Sequence, residues 1–380
     1  MLQPVAPEGE TPSSRVEIRE VATARDHRRF VGYPYGLYRG DQYWVPPLRL
    51  LERDRLNRRR NHFFDHADSA FLLAEDEGRL VGRIAVFDDH RHNETHADNL
   101  ASFGFFEAAS ADAARALLAA AEQWARTRAR TRIRGPLNPS LNDTVGLLID
   151  GFEDPPAILM PYNPPEYPRF LESAGYAKVK DLFAWSFDLE STPAAQLGPL
   201  VERVAARIQP TIHFIERRQL NGYVPVLGDL YRRAWADSWG FVPPTDEEMR
   251  QIIGDLSWIV GPRDVVLIEI AGQPAAFGVC IRDINQVLAG TDGNVIAFAW
   301  RWLRRRRIIT RGRFVLLGVA PEFRQLGIFP LLAYQFYREF KGTYRHIEDS
   351  WVLEDNANIN ESVSRFAHRS KTYRLYEKTL

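Results

Sequence analysis

The chain has 380 residues, 45% of them hydrophobic, and its 49 basic residues balance its 49 acidic ones. This length is ample for two domains of ordinary size, and the zero net charge argues against a nucleic-acid-binding protein held mainly by a basic field. The single cysteine, Cys280, excludes an internal disulfide and a cysteine-ligated metal site. A lone cysteine suits a reducing compartment, so we expect a cytoplasmic protein.

Residues 1–15 are rich in Pro, Glu and Ser and have no apolar segment after a charged start. We therefore expect a disordered lead-in at 1–15 and no signal peptide. Further along the chain, no apolar run approaches the roughly 20 residues that span a bilayer.

Three pairs of segments recur in the same order and divide the chain into two copies. Residues 38–48 resemble 235–245, 71–89 resemble 265–283, and 101–108 resemble 315–322. Gly82 and Gly278 are taken as matching landmarks. The pattern predicts a first domain at 16–190, a connection at 191–210 and a second domain at 211–380. It also predicts an insertion within the second domain at 285–312.

Each copy has the same predicted order of elements. A helical region ends in Val-Pro-Pro, and an antiparallel hairpin follows, with its turn at Glu77-Gly78 or Ala271-Gly272. A strand, a helix and a strand come next, and a helix and a last strand close the copy. This order predicts an α/β fold with two tandem domains, each a twisted mixed sheet flanked by helices.

The stretch FVLLGVAPEFRQLGIFPLL, residues 314–332, joins two apolar runs through a polar break. We read the first run as a strand and the second, opening at Pro330, as a helix. A tight glycine turn at this join presents free N–H groups that, with the helix dipole, favour a phosphate. Gly327 lets the backbone approach a ligand closely, and Arg324 adds positive charge. By itself, the stretch also fits a simple turn.

The run from Val319 to Phe329 resembles the acyl-CoA-binding signature of the GNAT superfamily of N-acyltransferases. That pattern is Val-x-Pro-x-Tyr/Phe followed by Gln/Arg-x-x-Gly-x-Gly/Ala, and only Phe329 departs from it. The resemblance implies that acyl-CoA or acetyl-CoA is a co-substrate and that no cofactor is bound permanently. It predicts contacts with the co-substrate at Leu317, Val319, Arg324, Gln325, Leu326, Gly327, Ile328, Phe329 and Asn356.

Copy one reads FGFFEAASADAARALL at the corresponding join, without Arg-x-x-Gly and with Asp112 in the helix start. We therefore expect copy one to be a degenerate domain that does not bind CoA. The segments YWVPPL, RIRGPLNPSLND and SWVLEDN resemble a narrower bacterial group of tandem GNAT proteins, which the bacterial ceramide synthases also resemble. The resemblance implies transfer from a long-chain acyl-CoA to a sphingoid-type lipid amine.

N-acyl transfer needs a neutral amine, a stabilised oxyanion and a protonated leaving thiolate. The resemblance assigns the oxyanion donor to a backbone N–H near Val319. Glu354 and Glu348 are the alternative general bases, and each also fits a solvated charge. Tyr373 is the predicted acid, with a packed core tyrosine as the alternative.

Aromatic and polar residues in the cleft-lining segments are predicted to form the acceptor side of the site. They also fit residues that cap a core or occupy turns. They are Trp235, Trp239, Phe241, Asn142, Asn163 and Trp351. The histidines of DDHRHNETHAD, residues 88–98, lack metal-ligand spacing, so no metal site is predicted.

The segment NVIAFAWRWLRRRRIITRGR, residues 294–313, interleaves aromatic residues with arginines. It fits a peripheral contact with an anionic membrane, a grip on the 3′-phosphate of CoA, or a solvated basic face. A nucleic-acid role is disfavoured by the net charge.

Two further functions stay open from the sequence. One is a tandem GNAT protein that acetylates a small amine or uses an aminoacyl donor. The other is a non-catalytic CoA-binding or membrane-associated module.

Overall fold

A computed structural model describes residues 16–191 and 197–380 of the chain. The predicted lead-in at 1–15 lies outside the described residues. The predicted α/β fold is confirmed. The strands are β1 Glu17–Glu20, β2 Ala67–Asp76, β3 Arg79–Asp89, β4 Leu100–Ala108, β5 Arg132–Gly135, β6 Leu137–Asn138, β7 Thr144–Val145, β8 Leu147–Asp150, β9 Ala177–Asp188, β10 Thr211–Phe214, β11 Val265–Ile270, β12 Gln273–Arg282, β13 Arg311–Val319, β14 His346–Leu353 and β15 His368–Thr379.

The helices flank the sheet on both faces. They are α1 Ala24–Leu37, α2 Arg49–Arg55, α3 His90–His96, α4 Ala111–Thr127, α5 Tyr167–Ser173, α6 Gly198–Ile208, α7 Leu220–Trp235, α8 Asp246–Ser257, α9 Asn285–Leu288, α10 Val295–Trp302, α11 Arg305–Ile308, α12 Ile328–Phe340 and α13 Ala357–Ser364. Among the helices that the structure describes, none combines the length and the apolar character needed to cross a bilayer.

The two copies share one 13-stranded sheet because they exchange their last strands. The order is β1-β2-β3-β4-β5-β15-β9-β14-β13-β12-β11-β10, and β8 extends the β5 edge of β15. The last strand of copy two, β15, thus pairs with β5 of copy one. The last strand of copy one, β9, pairs with β14 of copy two. The exchanged strands also pair with each other, so each copy completes the sheet of the other.

The two hairpin turns fix how the copies correspond. Glu77 and Gly78 have φ values of 47° and 76°, and Ala271 and Gly272 have 48° and 77°. Positive φ at both central residues is the geometry of a type I′ turn. Counting from these turns, Gly82 of copy one corresponds to Ala276 of copy two. Gly82 pairs with Ala108, the last residue of β4, and Ala276 pairs with Val319, the last residue of β13. The predicted match of Gly82 with Gly278 is therefore wrong by two positions.

One helix covers each face of the sheet in copy two. On each face an aromatic side chain of the helix lies so close to a strand that the residue below it must be a glycine. A Cβ atom added at Gly278 would lie 2.5 Å from the Phe336 side chain of α12 on one face. A Cβ atom added at Gly318 would lie 2.5 Å from the Trp235 side chain of α7 on the other face. The apolar side chains of α12 at helical spacing are buried in this core, namely Leu331, Leu332, Phe336 and Phe340.

A half-buried histidine, His66, connects the two copies. The Nδ1 atom of His66 lies 3.1 Å from Asp89 of the same copy, and its Nε2 atom lies 3.0 Å from Glu248 of copy two. Arg91 also donates to Glu248, at 3.2 Å. Burial alone would lower the pKa of His66, but the hydrogen bonds and charges of Asp89 and Glu248 raise it to about 9.

We expect this contact to make stability depend on pH. The pKa of His66 is higher in the folded state than its unfolded value of about 6.5, so its stabilisation is complete below pH 6.5 and is lost as pH rises through 9. The variant His66→Gln should lower the free energy of unfolding by roughly 1–3 kcal/mol at pH 6. Urea denaturation at pH 6 and pH 10 measures the difference. An equal loss at both pH values would contradict the assignment.

Candidate functional site

The site begins where two neighbouring parallel strands separate. Strands β13 and β14 pair only from Arg311 with His346 to Phe314 with Asp349. Beyond Asp349, β14 continues to Leu353 without pairing with β13, and a register shift against β12 places a bulge at Val315 of β13. A bulge at this point turns the strand and re-aims its backbone groups.

A cavity of about 860 Å³ fills this fork and extends between the two copies. Its wall in the fork consists of Val315, Leu316, Leu317, Asp349, Ser350, Trp351, Val352 and Leu353. All six predicted acceptor residues line the same cavity, namely Trp235, Trp239, Phe241, Asn142, Asn163 and Trp351. Of the residues predicted to contact the co-substrate, Leu317, Phe329 and Asn356 also line the cavity. Val319 pairs with Ala276 and does not line the cavity.

The polar break after β13 differs from the predicted direct passage into a helix. A 3-10 helix, Pro321–Leu326, lies between β13 and α12, and α12 begins at Ile328, two residues before Pro330. Gly327 joins the two helices at a φ of 79°, a left-handed conformation that favours glycine. Among the described residues, no side chain caps the N-terminus of α12, so none of them takes up its first N–H groups as a cap.

The surroundings of this turn come partly from the predicted connection. Helix α6, which lies within 191–210, donates a hydrogen bond from Arg207 to the carbonyl of Leu326 at 2.9 Å. A Cβ atom added at Gly327 would lie 3.2 Å from Val204 of the same helix. Arg324 and Gln325 are exposed beside the turn, and Arg324 donates to the carbonyl of Ala234 at 2.9 Å.

The corresponding fork in copy one is filled. The N–H of Phe105 donates to the side-chain oxygen of Asn138 at 2.5 Å, and a Cβ atom added at Gly104 would lie 1.7 Å from the carbonyl of Leu137. The helix that follows is capped, because the hydroxyl of Ser110 accepts from the N–H of Ala113 at 3.2 Å. The backbone groups that are open in copy two are therefore occupied in copy one.

The three predicted catalytic residues do not line the cavity of the described chain. Glu348 accepts from the Ser350 hydroxyl at 2.7 Å. Glu354 accepts from the Lys178 ammonium at 2.6 Å and from the N–H of Asp181 at 3.0 Å.

Tyr373 is fully buried in the core that the exchanged strands share. Within the described residues its hydroxyl has no hydrogen-bond partner. Burial, and then the charge of Glu348, raise the pKa of Tyr373 well above its usual value.

A different carboxylate, Asp349, occupies the point of the fork. It lines the cavity and is only 9% exposed. Burial raises the pKa of Asp349 to about 7, because the opposing effect of Arg313 is smaller, and Glu348 adds to the rise. The register against β9 shifts between Asp349 and Val352, and both Asp349 and Trp351 line the cavity.

A buried polar group supports the cavity wall at the fork. Arg313 donates to the Ser350 hydroxyl and carbonyl, both at 2.8 Å, and to the carbonyl of Ile158 at 2.7 Å. Asp283 accepts from the N–H of Ile158 at 3.0 Å and from that of Asn285 at 3.1 Å. Burial, and then Glu348, raise the pKa of Asp283 to about 7. These bonds fix the loop at 156–160 against the fork.

The predicted histidine segment forms helix α3. The ring centroids of His92 and His96 lie 4.7 Å apart, with the rings tilted by 45°. His90 lies 3.6 Å from Asp68 and 4.0 Å from Asp88, and these three residues could together hold an ion. Arg130 already pairs with Asp88 at 2.9 Å, which neutralises its charge.

Comparisons with known proteins find relatives and a solved structure that match nearly the whole chain. No family model matches the chain. It is 33% identical over 387 residues to the protein named "Bacterial ceramide synthase" of Caulobacter vibrioides, covering 98% of this chain and 99% of the relative. It is 31% identical over 376 residues to "Protein YghO" of Escherichia coli K12, covering 96% and 95% of the two chains. The solved structure of a tandem GNAT protein from the clavulanic acid biosynthesis pathway superimposes on this chain with a TM-score of 0.57, at 14% sequence identity. The match covers 96% of this chain and 98% of the solved one.

We expect the variant Asp283→Asn to stabilise the protein at high pH. An amide oxygen still accepts from Ile158 and Asn285, and the charge is removed. The folded pKa of about 7 exceeds the unfolded value of about 3.9, so the charged form destabilises the fold increasingly as pH rises from about 4 to 7. Urea denaturation should give a gain of about 2 kcal/mol at pH 8 and little gain at pH 4.

The exposed Asp292→Asn is the matched control for this change and should have no effect at either pH. A gain for Asp283→Asn that is the same at both pH values would contradict the account.

Proposed function

Because the chain belongs to the GNAT superfamily, in the tandem bacterial group of the Caulobacter vibrioides bacterial ceramide synthase, we propose that it transfers an acyl group from a CoA thioester to a primary amine. The single observation that carries this proposal is the contrast between the two forks. The fork of copy two opens into the cavity, next to an uncapped helix N-terminus. The fork of copy one is filled by Leu137 and Asn138. Copy one is accordingly proposed as the degenerate domain.

The proposed chemistry uses the groups at the fork of copy two. The diphosphate of CoA binds the N–H groups from Gly327 to Phe329, and Pro330 contributes none because proline has no N–H. The pantetheine arm lies between β13 and β14, and backbone N–H groups near the bulge at Val315 stabilise the oxyanion. The proposed oxyanion donor is therefore nearer the fork, at Val315, than the predicted position near Val319.

Asp349 is the proposed general base. A pKa of about 7 leaves its carboxylate available at neutral pH and still able to accept a proton from an ammonium or an attacking amine. The amine nitrogen forms a bond to the thioester carbon, and the C–S bond breaks. The proton lost by the amine returns to the leaving thiolate. Tyr373 stays the predicted acid for that last step, and Glu348 and Glu354 stay alternative bases.

A long-chain lipid amine is the proposed acceptor. The cavity, at about 860 Å³, is near the upper end of the range of about 300–1,000 Å³ that ligand pockets span. Its wall is mainly apolar, and the acceptor side carries Trp235, Trp239 and Phe241. An acetyl group and a small amine would leave most of this apolar surface uncovered. The name of the Caulobacter vibrioides relative supports the same substrate class.

Carboxylates on the cavity wall suit an acceptor that arrives as a cation. Asp54, Asp143 and Asp255 all line the cavity, and Asp143 and Asp255 are exposed there. Like charges on one wall are relieved by a bound ammonium, which is the form of an aliphatic amine at neutral pH.

We predict that Asp349→Asn lowers kcat by roughly 10²–10⁴-fold, the usual contribution of a general base. Thiol release from palmitoyl-CoA with a sphingoid amine measures the rate. In the unmodified protein, kcat/KM should fall about tenfold per pH unit below pH 7, and Asp349→Asn should remove that limb. Glu348→Gln and Glu354→Gln are isosteric controls and should keep most of the activity. A greater loss for either control would move the base to that residue.

We predict that the affinity for the diphosphate of CoA depends on the charge of the side chain at residue 327. Asn and Asp both tolerate the left-handed conformation of Gly327, and only Asp places a negative charge at the helix start. Gly327→Asp should weaken CoA binding roughly tenfold more than Gly327→Asn. The two variants should bind an acyl-pantetheine alike, because it lacks the diphosphate. Calorimetric titration measures both ligands, and equal CoA affinity of the two variants would exclude this anion site.

A thermal-shift titration separates the proposed substrate from the alternatives. Palmitoyl-CoA should raise the melting temperature more than acetyl-CoA does at equal concentration. A preference for acetyl-CoA would favour a small-amine acetyltransferase. A CoA-dependent shift without thiol release on any amine would favour a non-catalytic module. Peripheral contact with the inner face of the membrane through residues 294–313 is part of this proposal.

A further inference from the structure

One helix of the insertion has two apolar faces, and only one of them is packed against the protein. On the packed face of α10, the rings of Phe298 and Trp302 lie 6.2 Å and 6.1 Å from the ring of Trp258. Arg301 on this side donates to the carbonyls of Val287 and Gln286, at 2.8 Å and 3.0 Å. These contacts fix the helix to the protein.

The other face of α10 is apolar and open to solvent. Its side chains fall on one side of the helix at the spacing 295, 296, 299, 300 and 303. Ile296 is 81% exposed, Leu303 is 78% exposed, and Val295 and Trp300 are at least half exposed. These residues belong to the most exposed large apolar side chains of the described chain. A contiguous exposed apolar face of this kind marks an interaction surface.

Copy one extends this surface through α2. The N–H of Arg49, the first residue of α2, donates to the carbonyl of Gly293 just before α10. Leu50 and Leu51 follow Arg49 directly and are 54% and 44% exposed. The docking face therefore consists of Leu50 and Leu51 of copy one with Val295, Ile296, Trp300 and Leu303 of the insertion.

The docking face adjoins the cavity. Leu51 lines the cavity and is also open to solvent, as is Leu159, which is 42% exposed. The loop that carries Leu159 is bound to the α9 region, because Asn285 donates to the carbonyl of Pro156 at 2.8 Å. Helix α9 in turn packs against α10. The docking face therefore reaches the wall of the cavity at Leu51, and the loop with Leu159 connects that wall to α9 and α10.

Positive charge follows the apolar face. Arg304 stacks on the ring of Trp300 at 3.8 Å, and Arg306 and Arg307 are exposed on α11. Within residues 16–191 and 197–380 no salt bridge involves these three arginines. Exposed apolar side chains edged by tryptophan and unpaired arginines complement the interface of an anionic bilayer.

We propose that the docking face inserts into the surface of an anionic phospholipid bilayer and holds the cavity opening against it. The long-chain amine then passes from the bilayer into the cavity without crossing water. Docking itself rests on the exposed face and the arginines. The passage of the amine rests on the proposed function.

The first experiment measures sedimentation of the full chain with vesicles of phosphatidylcholine, alone or mixed with phosphatidylglycerol. The mixed vesicles should bind the protein more strongly, and salt should weaken that binding. Ile296→Ser with Leu303→Ser should lower the partition coefficient roughly tenfold. Arg306→Gln should lower it about fivefold on the mixed vesicles only. Leu200→Ser, at a 41% exposed leucine of α6, is the matched control and should bind like the unmodified protein.

Two results of this experiment would overturn docking. One is equal vesicle binding by the unmodified protein and the Ile296→Ser, Leu303→Ser variant. The other is a concentration-dependent dimer that Ile296→Ser abolishes, which would assign the face to a second copy of the chain.

The second experiment compares acyl transfer to a vesicle-embedded long-chain amine with transfer to a water-soluble short-chain amine. Ile296→Ser should slow the first reaction and leave the second unchanged. Vesicle binding without acyl transfer on either amine would reject the proposed function and retain docking. Equal slowing of both reactions would reject the direct passage.

Discussion

The exchange of last strands between the two copies is the constraint on which the rest of the structure depends. Without β15, strand β5 of copy one would expose a row of unpaired backbone groups, and without β9 the same would hold for β14 of copy two. Unpaired buried backbone groups are costly, so neither half of the sheet is complete alone. The exchange also brings the two copies face to face, and the cavity occupies the space between them.

The two forks show how one repeated framework supports different roles. In both copies the fourth and fifth strands pair briefly in parallel and then separate. In copy one the next segment folds back, and Asn138 satisfies the backbone that the separation releases. In copy two the continuation of β14 diverges, and the released backbone faces the cavity. The few residues that follow the fifth strand thus either fill the fork, as in copy one, or leave it open as a candidate binding site, as in copy two.

Local signals in the sequence predicted the elements well, and long-range pairing escaped them. The hairpin turns and the helix after the polar break were predicted because turn glycines and apolar runs are local properties of the sequence. The strand exchange was not predicted, since either copy's last strand satisfies the same pattern in either place. Asp349 was passed over because its raised pKa comes from burial by residues distant in sequence. A 3-10 helix of six residues, about two turns, stands before Gly327, where a tight glycine turn directly between strand and helix was predicted.

The central position of β15 has a consequence for how the chain matures on the ribosome. Arg132 of β5 and Glu377 of β15 lie 245 positions apart and meet at 3.0 Å in the finished sheet. Loop closure over such a distance is slow compared with local hairpin formation. The first copy therefore leaves the ribosome with an incomplete sheet edge and stays incomplete during synthesis of the second. Such an edge invites wrong pairing with other nascent chains, so chaperone demand should be concentrated in that interval.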